Sequence, residues 1–120
     1  MKIGIIGSTV YLDKMNKHKA ELEKNGHEVR LPLFDGMDPS ITNVELKINV
    51  FNREVIEWAD ILHIFYDARS AWSLFDFGMA FMARKQIKII HLERKTVGNF
   101  LIQYEKDCEN QLKDISDEKE

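Results

Sequence analysis

Short apolar runs alternate along the chain with longer stretches in which apolar residues recur every three or four positions. Residues 2–6 (KIGII), 27–31, 61–66 (ILHIFY) and 87–92 (IKIIHL) read as strands. The first, third and fourth are nearly unbroken apolar runs, as expected of strands buried on both faces. Residues 12–25, 43–60, 73–84 and 99–115 read as helices. The first places Leu12, Met15 and Leu22 on one side and ends at Asn25-Gly26. The second repeats Val44, Ile48, Phe51, Val55 and Trp58; the third is apolar almost all round; the fourth sets Leu101, Tyr104, Cys108 and Leu112 on its inner side. Pro32 and residues 33–40 read as loop.

The order is βαβαβαβα. Strands joined through helices run parallel, with right-handed crossovers. The fold expected is a three-layer α/β/α sandwich on a parallel sheet of about four strands in order 2-1-3-4, a flavodoxin- or Rossmann-like arrangement. Residues 1–115 form one domain and residues 116–120 a frayed charged tail. In such sheets ligands bind beyond the carboxyl ends of the strands where the order reverses. That edge brings Gly7, Ser8, Thr9 and Tyr11 together with Asp67, Ser70 and the start of the third helix.

Composition narrows the chemistry. Of 120 residues, 17 are Lys or Arg and 20 Asp or Glu, a net charge of −3, and 44 % are hydrophobic. That balance disfavours nucleic-acid binding through a basic surface and is ordinary for a cytoplasmic globular protein. The single cysteine forms no internal disulfide, and no Cys/His spacing resembles a zinc site. No stretch is long and apolar enough for a membrane span. No metal or cofactor is expected; His63 and His91, on adjacent strands, read as hydrogen-bonded core or sheet-end residues.

The third helix and the residues before it, YDARSAWSLFDFGMAFMARK, carry the strongest chemical signal. Asp76 lies between Phe75 and Phe77, where an ionised carboxylate is costly unless stabilised; a first-turn position would supply free N–H groups. Ser73-x-x-Asp76 equally matches a capping box, in which both residues serve only the helix end, and on pattern alone that is the heavier reading. Asp67 ends the third strand at the same edge, and two converging carboxylates can divide the work of nucleophile and acid/base. Trp72 and Tyr66 are candidate aromatic walls. The GSTVY loop offers N–H groups and hydroxyls for an anion or sugar, or simply a turn and a helix cap. Met79, Phe81 and Met82 are core or a subunit interface, which suggests a homo-oligomer.

These residues resemble the nucleoside 2-deoxyribosyltransferase-like family, which includes the deoxynucleoside monophosphate N-glycosidases. Ala59-Asp60, the strand 61–66, Asp67, Ser70, Asp76, Gly78, Ala80 and Lys85 fall in matching places, and MKIGIIGST resembles the family's first strand and binding loop. The resemblance covers about residues 1–95. It implies that Asp76 attacks the anomeric carbon of a (deoxy)ribose, that Asp67 orients or protonates the leaving base, and that Ser70 with Gly7, Ser8 and Thr9 holds the sugar or its phosphate. Tyr11, Trp72 and Gly78 complete the expected substrate contacts, and the partner is a small nucleoside or nucleotide. Three departures stand out. The family carboxylate is usually Glu, the glycine four residues before it is Trp72 here, and no fifth strand follows. A non-catalytic nucleotide-binding module on the same fold is the alternative. A receiver-type phosphorylation switch and a flavin-binding flavodoxin are disfavoured by the first loop.

Overall fold

The computed structural model describes residues 1–32, 44–66, 71–92 and 98–118; within these, the side chains of residues 9, 44, 71, 72, 98 and 113–118 are not described. Four strands, β1 (Lys2–Gly7), β2 (Glu28–Arg30), β3 (Ile61–Tyr66) and β4 (Gln86–Leu92), form a parallel sheet in the order β2-β1-β3-β4. Helices α1 (Leu12–Lys24), α2 (Val44–Trp58), α3 (Ala71–Met82) and α4 (Gly98–Glu118) follow the strands in turn, and a short 3-10 turn, Thr9–Tyr11, precedes α1. The expected fold class and strand order are observed.

Alternation along the strands divides the core between the two faces. Ile5 and Phe65 pack with Tyr11 and Met15 beneath α1. Ile6, Leu62, Ile64, Tyr66 and Ile87 pack under α2 (Ile56), α3 (Phe77, Ala80) and α4 (Leu101) on the other face. Gly7 explains itself in this packing. A Cβ there would strike the Phe65 carbonyl oxygen and stand 2.6 Å from Met15 Cε.

The amino-terminal edge of the sheet is closed by polar groups from the resemblance motif. Asp60 Oδ2 accepts from the Lys2 N–H at 2.8 Å, while the Asp60 N–H donates to the Lys2 carbonyl at 2.8 Å. Lys85 Nζ donates to the Glu57 and Ala59 carbonyls at 2.8 and 2.9 Å, satisfying the carboxyl end of α2. The Tyr104 hydroxyl donates to the Lys85 carbonyl and joins α4 to the same corner. Along the outer strand β4, Glu105 accepts the Ile89 N–H.

Helices α1 and α3 end alike. His27 N–H reaches the Leu22 carbonyl and Gly26 N–H that of Glu23; Lys85 N–H reaches Ala80 and Arg84 N–H that of Phe81. Both are Schellman ends with a left-handed residue. It is Gly26 at φ 89° in one and Arg84 at φ 57° in the other.

Several details differ from expectation. Helix α3 begins at Ala71, so Ser73 lies inside the helix and cannot head a capping box. The buried stripe of α2 runs through Ile48, Asn52, Val55 and Ile56, leaving Phe51 exposed. Helix α4 continues to Glu118, and Leu112, expected inside, is exposed because the helix there has outrun the sheet edge it packs on. The β3–β4 ladder shifts register between Ile64 and Phe65, so that Phe65 faces His91. That irregularity carries His91 to the α1 face, where its ring lies 4.7 Å from that of Tyr11.

Candidate active site

Strand β3 delivers the chain to the carboxyl edge of the sheet, and α3 turns back over β1 and beside α2. The inner side of α3 presents Ser73, Asp76, Phe77 and Ala80. Asp76 is the sixth residue of the helix, in its second turn, so the free N–H groups of the first turn do not serve it. It is 4 % exposed. Oδ1 is buried and has no hydrogen-bond partner among the described residues. Burial pushes its pKa up to about 7, with no neighbouring charge needed to explain the shift. A buried carboxyl held above its ordinary pKa weakens the fold when ionised; such groups concentrate where chemistry is done.

Asn52 on α2 and Ser73 on α3 are the other buried polar side chains on these two adjacent helices. Asn52 was not singled out from sequence, although it falls in register with Ile48, Val55 and Ile56. A polar residue in an otherwise apolar stripe was the available signal.

The other expected site residues fall into three groups. Gly7 and Ser8 are at the carboxyl end of β1; the Ser8 N–H donates to the Phe65 carbonyl at 3.4 Å, and the Ser8 carbonyl accepts from the Tyr11 N–H at 3.0 Å. Thr9 opens the 3-10 turn between them. Tyr11 is buried in the core beneath α1 and Gly78 faces outward, about 200° round the helix from Asp76. Gly78 is thus turned away from Asp76. Asp67 and Ser70 lie outside the described residues, and Trp72 is placed in the first turn of α3 by its backbone alone.

The partner of His63 was not foreseen, and the pair it forms is partly buried. His18 Nε2 of α1 lies 2.7 Å from His63 Nδ1 of β3, so one ring donates and the other accepts. Burial pushes both rings down, His63 to about 4, with the His18 ring and Lys88 adding to the effect. No sequence periodicity links positions 45 residues apart. No group of three His, Cys, Asp or Glu among the described residues is placed to hold a metal ion. No helix among them is long and apolar enough to cross a membrane.

No protein-family model matches the chain, and no curated protein matches it. Among solved structures, the 2-deoxyribosyltransferase of the psychrotolerant bacterium Bacillus psychrosaccharolyticus superimposes with a TM-score of 0.64 at 16 % identity, over 81 % of this chain and 80 % of that one. At that identity the likeness is one of architecture. The chain has a nucleoside 2-deoxyribosyltransferase-like fold.

Proposed function

We propose that this protein cleaves or transfers the N-glycosidic bond of (deoxy)ribonucleosides or their monophosphates, with Asp76 as nucleophile. The observation that carries the reading is the buried Asp76 carboxyl, whose Oδ1 has no partner among the described residues, on the helix that follows β3 in this fold. The ionised carboxylate attacks the anomeric carbon as the bond to the base breaks. The base departs with the bonding pair and gains a proton, the role proposed for Asp67. A glycosyl ester on Asp76 remains. Water or a second base then attacks the same carbon and releases the carboxylate, so configuration is retained over two inversions. Ser70 and the Gly7–Thr9 loop hold the sugar or its phosphate, and Trp72 is a further substrate contact.

Incubation of the folded protein with a panel of (deoxy)nucleosides and their monophosphates, read for free base, tests this. Base release from at least one member is expected; none from any member overturns it. The near-complete burial of Asp76, on a side chain one methylene shorter than Glu, favours a second reading, a module that binds nucleotides without turnover. That module would show a nucleotide-dependent rise in melting temperature with the ligand recovered intact.

A further inference from the structure

A pocket of about 290 Å³ opens between α1 and the ends of β3 and β4. It lies on the α1 face of the sheet, whereas α3 and Asp76 pack on the other. One side of α1 presents Lys14, Lys17, His18 and Glu21 to it, at the spacing of a single helix face. Phe65 and Ile90 give it an apolar floor, and the His18 ring stands edge-on to Phe65 at 5.7 Å. The register shift in β4 brings His91 to the same pocket beside Ile90, and re-aiming a side chain is what such irregularities do.

The charge around this pocket runs against that of the chain. Lys88 of β4 is opposite His63 in the strand register, so it shares the α1 face, and its charge helps to push both His18 and His63 down. Lys14, Lys17 and Lys88 thus flank the pocket against one carboxylate, Glu21, in a protein of net charge −3. None of these lysines is paired with a carboxylate among the described residues. Like charges one turn apart on a helix oppose it, and an anion seated between them would reverse that effect. The ammonium groups are compact charges with rotating donors, which suit the tetrahedral oxygens of a phosphoryl group; the planar carboxylate is better matched by an arginine fork. The apolar floor has room for a short carbon skeleton, and Glu21 can accept from its hydroxyls.

The histidine pair supplies one more donor. His18 Nε2 is engaged with His63 Nδ1 at 2.7 Å. Each neutral ring carries one N–H. When His63 donates within the pair, the proton of His18 is on Nδ1 and is available to an anion.

We infer that this pocket binds a small phosphomonoester, held by Lys14, Lys17 and Lys88 and by the Nδ1–H of His18. The site is separate from Asp76, and its test does not depend on base release.

Titration of the folded protein with glycerol 3-phosphate, inorganic phosphate and acetate, each up to about 10 mM and followed by the imidazole nitrogen resonances, tests this. Glycerol 3-phosphate should bind most tightly and fix the His18 proton on Nδ1. Lys17→Met and Lys88→Met, both at exposed positions, should each weaken it at least about tenfold. Lys47→Met, an equal loss of charge on the exposed side of α2, should bind as the parent does. His18 resonances that move with neither phosphate overturn the inference. So does acetate binding as tightly as glycerol 3-phosphate, or an affinity that survives both lysine substitutions. Equal affinity for inorganic phosphate would identify the free ion and overturn the ester.

Discussion

Asp60 precedes β3 and Asp76 lies in the helix that follows it, and the two differ in how they are satisfied among the described residues. Asp60 is exposed and ties the start of β3 to the start of β1, its side chain and backbone both bonded to Lys2. Asp76 is buried, lifted to about 7, and leaves Oδ1 without a partner among the described residues. Both aspartates belong to the stretch that resembles the deoxyribosyltransferase-like pattern. At the amino-terminal edge, Asp60, Ala59 and Lys85 hold the architecture, whereas the buried carboxyl of Asp76 opposes folding when ionised. A shared motif thus mixes residues that build the sheet with residues the sheet must tolerate.

Exchanging each aspartate for asparagine is the sharpest way to break this comparison. Asp76→Asn should lower base release at least about a thousandfold, as removal of a nucleophile does, while Asp60→Asn should leave turnover unchanged and lower stability. Equal activity of parent and Asp76→Asn would end the contrast.

The next effect is on stability against pH. Folding raises the Asp76 pKa from 3.8 to about 7, so its penalty is absent below about pH 4 and complete, at about 4 kcal/mol, above about pH 7. Folding lowers His63 from 6.5 to about 4, so its penalty is absent above about pH 6.5 and complete, at about 3 kcal/mol, below about pH 4. The two ramps oppose each other across one interval, and the parent should change by only about 1 kcal/mol. Denaturant titrations should show Asp76→Asn gaining stability as pH rises from 4 to 6.5. His63→Gln should lose it between pH 4 and 7. Parallel profiles for both variants would refute the assignment.

Lys85→Met removes two charge-assisted bonds to the end of α2 and should cost about 2 kcal/mol in chemical denaturation. The smallest effect concerns the paired helix ends. Arg84→Gly relieves a left-handed side chain and should add up to about 1 kcal/mol, whereas Gly26→Ala should remove a similar amount.

The sheet was readable because parallel strands buried on both faces are apolar without interruption, as in residues 61–66, and because Asn25-Gly26 marks a helix end chemically. Asp76 was readable as an anomaly, an acid between two phenylalanines, but its choice between capping and chemistry was not. That choice turns on where α3 begins, two residues before Ser73. The face on which His91 lies was hidden for a different reason. Simple alternation places it by counting from Ile87, and the register shift opposite Ile64 and Phe65 breaks the count. The His18–His63 contact and the exposure of Leu112 depend on what lies across space, which no local pattern encodes.

Glu105 has a consequence beyond the fold. β4 is an outer strand of the described sheet, and the carboxylate occupies an N–H to which another strand would add. Glu105→Ala would unplug that position and leave it open to sheet growth from chain to chain.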